Sequence, residues 1–345
     1  MYSRADRILH HIALGFRPVL EASFDIERAR YRRALNGIAV EAPVFVSGLA
    51  RAGTTVLMRA LHASGGFASL SYRDMPFPLA PNSWARLGRG FQRHVETSER
   101  GHGDGLTHDL DSPEAIEEVF WRMHEGDRYR TREALLPEPV APDTIAAFRD
   151  YVRLVLLRHG GPRYLSKNNN NVLRLPALVA AFPDAVLLHP FRDPLQQAIS
   201  LRTQHVRADK LAAEDPFRRR YMSWLGHHEF GADQRPFGFE GAPGAGESRA
   251  RIDYWLKGWI SVHRALLAQP EAVAARQRFL DYDRLCADSA GHEAAFARAA
   301  GLERAPSLSG LAPPPLHAEP GADPGRLAQA RAVLPELQGR AVVAA

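Results

Sequence analysis

The stretch 43–61, PVFVSGLARAGTTVLMRAL, decides the fold. Val44, Phe45 and Val46 make a short apolar run of the buried-strand type. G-x-x-x-x-G-T-T follows, with Gly48, Gly53, Thr54 and Thr55, and then an apolar segment compatible with a helix. Strand, glycine loop and helix start together build an anion cradle. The loop N–H groups and the helix N-terminus both point at negative charge. The spacing matches a nucleotide P-loop except at one residue. G-x-x-x-x-G-K-[ST] requires Lys where Thr54 stands. The cation lies three positions upstream instead, at Arg51.

The rest of the chain supplies the sheet for that loop. It has 345 residues, 45% of them hydrophobic, enough for one large domain or two ordinary ones. Apolar segments near residues 44, 186 and 279 suggest one sheet assembled from distant parts, so a single domain over 1–345 is expected. The formal net charge is +5 without a long basic run, so nucleic acid is not the expected partner. A mildly basic enzyme for a polyanionic small molecule fits that balance. Cys286 is the lone cysteine, which excludes an internal disulfide and a cysteine metal cluster. No run of 18 apolar residues occurs, so no membrane insertion is expected, and the N-terminus reads as an amphipathic helix rather than a signal peptide. A soluble cytoplasmic protein is the simplest expectation. Oligomeric state is not legible.

Along the chain, 1–40 reads as a helical segment. Residues 66–110 have no clear period and hold Pro76, Pro78, Pro81, Gly101, Gly103 and Gly105. In 111–124, Ser112 suits an N-cap and Pro113 the first helical position. A helix is predicted over 142–159, a short strand over 163–167, and a turn and helix over NNNNVLRLPALVAAFP. AVLLHPF at 185–191 is another buried-strand run, and a helix opens near Pro194. Residues 226–250, with six glycines and two prolines, read as a long loop. Trp255 and Trp259, four apart, fit a buried helix face. RFLDYDRL at 278–285 is the last strand, and 304–345 is a C-terminal surface segment. Strands alternating with helices imply a P-loop-like, three-layer α/β fold with a central parallel sheet flanked by helices. Ligands in such sheets bind beyond the carboxyl ends of the strands. The motifs at 48–55, 167–171 and 192–200 each follow a candidate strand and are expected to converge there.

Arg192 stands at a strand end and Ser200 eight residues on, inside the next helix. A guanidinium plus a hydroxyl suits a second phosphate. On GLARAGTT at 48–55, RDPLQQAIS at 192–200 and FLDYDRLCAD at 279–288, the chain resembles the sulfotransferases that use 3′-phosphoadenosine 5′-phosphosulfate (PAPS). The Arg-containing loop and the R-D-P form are similar to tyrosylprotein and bacterial members. The resemblance spans about residues 43–300. It implies that the loop, Gly48, Arg51, Ala52, Gly53, Thr54 and Thr55, holds the 5′-phosphosulfate. It also implies that Arg192 and Ser200 hold the 3′-phosphate. A sulfuryl group carries less charge than a phosphoryl group, so no metal is expected. Arg51 is placed to stabilise the leaving phosphate. Val56 stands where cytosolic members often have an aromatic residue, so adenine must stack elsewhere.

The acceptor, whether small molecule, glycan, lipid or peptide, needs a base within hydrogen-bond reach. Members similar to this one carry an acidic residue shortly after the first helix. The only carboxylate in SLSYRDMPF is Asp74, which is the expected base; His102, Asp104, His108, Glu114 and Glu118 rank below it. Lys167, with Asn168 and Asn171 behind it, resembles the family's transition-state segment and is assigned to charge stabilisation. A small-molecule P-loop kinase and a non-catalytic nucleotide-binding protein are the alternatives.

Overall fold

Ser3 opens the N-terminal helical segment. Its hydroxyl accepts from the Asp6 N–H while Asp6 returns to the Ser3 backbone, a capping box that starts α1 (Arg4–Gly15). Phe16 separates it from α2 (Arg17–Leu35). The computed structural model describes residues 3–88, 98–99, 107–108, 116–311, 313, 316–317 and 321–342.

After α2 come β1 (Val44–Val46), α3 (Thr54–Ala63), β2 (Phe67–Ala68), a 3-10 turn at Tyr72–Asp74, and α4 (Pro81–Gly88). Two short antiparallel strands, β3 (Ser98–Glu99) and β4 (Thr107–His108), precede α5 (Glu118–Tyr129) and α6 (Pro142–His159). β5 (Arg163–Lys167) leads through a 3-10 turn at Asn169–Leu173 into α7 (Leu175–Ala181) and β6 (Val186–Phe191). Then follow α8 (Pro194–Glu214), α9 (Pro216–Trp224), α10 (Ile252–Leu267), α11 (Glu271–Ala274), β7 (Gln277–Asp281), α12 (Tyr282–Ala287), α13 (Ser289–Ala300) and α14 (Pro324–Gly339).

The central sheet is parallel, in the order β2-β5-β1-β6-β7. Side chains alternate across it. Val44 and Val46 of β1 face one core with Leu57, Leu61, Leu285 and Phe296 from α3, α12 and α13. Phe45 faces the other, against the rings of Phe148, Tyr164 and Phe182. Both faces are thus covered, which is why the strands read as continuous apolar runs rather than alternating ones.

Two expectations need correction. The described helix in the 111–124 region begins only at Glu118 and runs on to Tyr129; Ser112 and Pro113 lie outside the described residues. The C-terminal segment is more than a surface strap. α14 packs on α10, α8 and β7 and buries Ala330, Val333 and Leu337. Beyond it, the Val342 N–H donates to the Phe279 carbonyl at the β7 edge.

Candidate active site

The order β5-β1-β6 puts the three motif-bearing strands side by side. Val46 pairs with Lys167 on one flank and Leu188 on the other, so the residues that follow all leave the same sheet edge. The loop begins with the Ser47 N–H donating to the Leu188 carbonyl. His189 underpins it, its Nδ1 lying 3.0 Å from the Ser47 carbonyl oxygen. Burial lowers the His189 pKa to about 4, so the ring is neutral and the Nδ1–H is the donor.

Within the loop Arg51 adopts φ 68°, a left-handed conformation that costs a non-glycine residue about 1–2 kcal/mol. Gly53 (φ 83°) is the N-cap of α3 and supplies no side-chain cap. A Cβ there would lie 2.1 Å from the Tyr282 ring, so only glycine allows this close approach. Tyr282 opens α12, and the ring seals the loop from the β7 side.

The two predicted phosphate motifs meet directly. Arg51 Nε donates to Ser200 Oγ at 3.0 Å. Arg192 Nη1 donates to the Arg51 carbonyl at 3.3 Å. Arg192 is only 4% exposed, and its Nε is held by Asp283 Oδ1 at 3.1 Å. The second Asp283 oxygen accepts the Asp193 N–H at 2.7 Å. Asp193 caps α8 by accepting from the Gln196 N–H. Gln197 is fully buried. Its Nε2 donates to the Ala50 carbonyl at 3.0 Å and its Oε1 accepts from Trp259 Nε1 at 3.0 Å. Asp283, Gln197 and Tyr282 were not singled out by sequence reasoning, although all three lie inside the motif stretches 192–200 and 279–288.

The expected bases are placed differently. Asp74 is 1% exposed and closes a capping box with Ser71. One oxygen lies 3.0 Å from His159 Nε2 and the other 3.6 Å from Arg158 Nε, at the end of α6. α6 delivers the chain to the start of β5, whereas Lys167 ends that strand, so Asp74 is tied to the α6 end of β5. Glu118 is engaged as well. Both of its oxygens take Arg174, at 2.6 and 3.1 Å, along with Tyr129 and Asn168. Burial pushes its pKa up, but the Arg174 pair and these donors outweigh burial and hold it below the usual value. It is a buried, ionised structural carboxylate. His102, Asp104 and Glu114 lie outside the described residues, and His108 belongs to β4.

The four asparagines are not a simple strand end. Asn168 caps the 3-10 turn and donates to Glu118, and Asn171 donates to Glu117 at 2.8 Å. Asn170 donates to the Gly226 carbonyl, and Asn169 to Glu229 at 2.7 Å. The last two contacts dock the start of the long loop, residues 226–229, against the β5 end. Glu229 feels opposing effects there. Burial pushes its carboxyl up, but His227 and Lys167 outweigh burial and hold it well below the usual carboxylate range.

The loop from 227 to 235 divides two clefts. The first, about 510 Å³, is lined by Leu49 and Ala50 of the glycine loop, by Glu229, and by Phe237, Trp255 and Trp259. The second, about 470 Å³, is lined by Gln204, Arg218, Met222, His227, Phe230 and Asp233. Burial of Trp259 (0% exposed) and Trp255 (5%) agrees with the predicted buried face.

A parallel α/β sheet with an anion cradle at its carboxyl edge defines the class. The Sulfotransferase family model matches residues 43–235, more than half of the chain, and the chain belongs to that family. Among solved structures it is similar to sulfotransferase STF1 of Mycobacterium tuberculosis H37Rv (18% identity, 82% of this chain and 73% of that one, TM-score 0.49). It is also similar to STF9 of Mycobacterium avium (18%, 90% and 72%, TM-score 0.44). A third is the sulfotransferase of Alicyclobacillus acidocaldarius (14%, 88% and 94%, TM-score 0.42). No curated protein matches it in sequence. Among the described residues no helix is long and apolar enough to cross a membrane.

Proposed function

We propose that this sulfotransferase takes its sulfuryl group from PAPS and passes it to a hydroxyl or amine of a small molecule, glycan, lipid or peptide. One observation carries the reading: Arg51 of the glycine loop touches Ser200 of the second motif, so the two phosphate-binding elements form one continuous cradle. The residues fit the ligand's chemistry. The uncapped start of α3, with Thr54 and Thr55, offers N–H groups and hydroxyls to the 5′-phosphosulfate. Gly48, Ala52 and Gly53 let the backbone come close. Arg192 and Ser200 supply a cation and a hydroxyl for the 3′-phosphate.

When bound, PAPS supplies an activated sulfuryl group. Arg51 stabilises charge on the departing phosphate, and Lys167, at the end of the neighbouring strand, stabilises charge on the sulfuryl oxygens. Lys167 ends a strand and the Arg51 side chain is held by Ser200, which pre-orients them. The reading requires no metal, since two cations flank the transferring group.

Calorimetry with adenosine 3′,5′-bisphosphate tests the donor assignment. Binding without added metal is expected, with much weaker binding of ATP and Mg²⁺. Tight, EDTA-sensitive ATP binding and no affinity for the bisphosphate would return the chain to the kinase alternative.

A further inference from the structure

Leu49 and Ala50 stand between Gly48 and Arg51 in the glycine loop, and both line the first, apolar cleft. That cleft therefore abuts the loop that carries Arg51. Its aromatic wall is tied to the same loop through Gln197, which donates to the Ala50 carbonyl and accepts from Trp259 Nε1. Asn170, three residues beyond Lys167, lines it from the β5 end. The Trp255 and Trp259 N–H groups are spent on the Arg249 carbonyl and on Gln197, so both rings offer the cleft only apolar surface. Gly258 lies between them on α10 and lines the cleft too. A mid-helix glycine is less stable than alanine. A Cβ on Gly258 would meet nothing within 4 Å, so no neighbour demands the glycine. What it leaves is room beside the two rings.

Two polar side chains of this cleft are buried and incompletely paired. His228 is 1% exposed and Asn170 2%. Arg235 Nη1 lies 2.9 Å from His228 Nδ1, and a guanidinium can only donate, so Nδ1 accepts and Nε2 carries the hydrogen. The Asp233 carbonyl, 3.1 Å from the same Nδ1, takes its hydrogen from Arg235 Nη1 instead, also at 3.1 Å. Burial lowers the His228 pKa to about 4, so the ring is neutral near pH 7. Asn170 Nδ2 donates to the Gly226 carbonyl, which fixes the amide and leaves Oδ1 as its open end. Among the described residues, His228 Nε2 and Asn170 Oδ1 have no hydrogen-bond partner. A buried donor and a buried acceptor left open are costly unless a ligand pairs them.

Resting on the PAPS reading, we infer that this cleft holds the acceptor, and that the acceptor is an uncharged apolar alcohol or phenol whose hydroxyl pairs with His228 Nε2 and Asn170 Oδ1. A hydroxyl accepts and donates at once, so it answers both open groups. An ammonium has nothing for Nε2–H, and a carboxylate has nothing for Oδ1. The charged residues of the lining are already engaged: Glu229 accepts from Asn169, and Arg235 donates to Thr131, Asp233 and His228. A charged acceptor would therefore enter without a counter-ion. In the transfer, the hydroxyl oxygen bonds to sulfur and its proton goes to water. The bond from sulfur to the bridging phosphate oxygen breaks, and its electron pair leaves on adenosine 3′,5′-bisphosphate.

Transfer from labelled PAPS to 2-naphthol, glucose and 3-hydroxy-2-naphthoate tests the class, with calorimetry of adenosine 3′,5′-bisphosphate run beside it. The kcat/KM for 2-naphthol should exceed that for glucose about 100-fold, from the apolar area that the ring system buries. It should also exceed that for 3-hydroxy-2-naphthoate, whose carboxylate finds no partner in the cleft. Gly258→Leu fills the gap and should lower kcat/KM for 2-naphthol about 100-fold, within the range of a mismatch in pocket size. Bisphosphate affinity should not change. Gly258→Ala, a smaller intrusion into the same space, should give a smaller loss. In His228→Asn the amide oxygen can still serve Arg235 while the Nε2 donor is gone, and kcat/KM should fall about tenfold for one lost hydrogen bond. His228→Gln restores an N–H near the Nε2 position and should recover most of the loss. No recovery would make His228 merely structural and overturn the hydroxyl pairing. Unchanged kcat/KM in Gly258→Leu, or bisphosphate binding without transfer to 2-naphthol, overturns the cleft assignment and leaves the donor reading intact. A wild type that binds no bisphosphate overturns the donor reading and this one with it.

Discussion

In the proposed reaction, Arg51 is the residue on which the chemistry turns. Its left-handed φ is tolerated because it brings the guanidinium to Ser200 while its carbonyl receives Arg192. Arg51→Ala should lower transfer by about 10²–10³, the cost of removing one preorganised donor to developing charge. Bisphosphate affinity, measured by calorimetry, should change by only a few-fold. Wild-type turnover in that variant would remove Arg51 from the mechanism. Asp283 acts one step back. It spends one Arg192 N–H and the Asp193 N–H so that the remaining guanidinium edge has a single orientation. In Asp283→Asn, affinity for adenosine 3′,5′-bisphosphate should fall about tenfold, from the loss of one charge-assisted hydrogen bond. Affinity for adenosine 5′-phosphate should hold. Equal losses for both ligands would mean that Asp283 merely supports the fold.

At the scale of elements, a buried polar layer holds the catalytic edge together. Glu117 and Glu118 of the α5 start bind Trp121, Tyr164, Asn168, Asn171 and Arg174, joining α5 to the end of β5. Gly226 then rests on this layer: a Cβ there would lie 2.2 Å from Glu118 Cγ, and its φ is 73°. Gly226→Ala should therefore cost about 1–3 kcal/mol by overpacking and should slow the reaction as well, because the displaced loop docks on Asn169 and Asn170 just beyond Lys167. Urea melts and rates measured together check both arms. Glu118→Gln leaves Arg174 buried without its charge partner, and about 3–5 kcal/mol of stability should be lost. The pH sign follows from the lowered Glu118 pKa. Its contribution is fully present above the unfolded value near 4.5 and is lost as pH falls through the lower folded value.

For the whole molecule, buried neutral histidines should make acid weaken the fold from pH 6.5 downward. His189, His228 and His263 are buried and neutral, each lowered from 6.5 to about 4, chiefly by burial. Below pH 6.5 the unfolded chain takes up protons at these positions and the folded chain does not. Stability should be flat above pH 6.5 with respect to these groups and should fall steadily from 6.5 to about 4. Urea midpoints across that range measure it, and a midpoint independent of pH there would contradict the burial of these rings. The layered architecture explains why they are buried. His189 lies on β6 inside the sheet and His263 on α10, which packs over α8 against the same core.

Local pattern carried the fold and the convergence of the motif-bearing strands at one sheet edge. PVFVSGLARAGTT holds strand, turn and helix start in one contiguous stretch, so short-range sterics and hydrogen bonding suffice to read a cradle from it. The eight-residue step from Arg192 to Ser200 likewise follows from a strand end feeding a helix, and the runs at 163–167, 185–191 and 278–285 announce strands by local pattern. What local pattern does not encode is which distant group fills which contact. Asp74 looks like an available carboxylate in SLSYRDMPF, and only the fold brings His159 and Arg158 of α6 beside it. Glu118 is buried by an arginine 56 positions away. His227 and Glu229 sit in a loop without period, and Asn169, 60 residues upstream of Glu229, gives that carboxylate its place. Backbone geometry is set by neighbours in sequence, whereas burial and ion pairing are set by neighbours in space. The strand, glycine loop and helix start were therefore legible from the chain, and the partners of its buried carboxylates were decided by the fold.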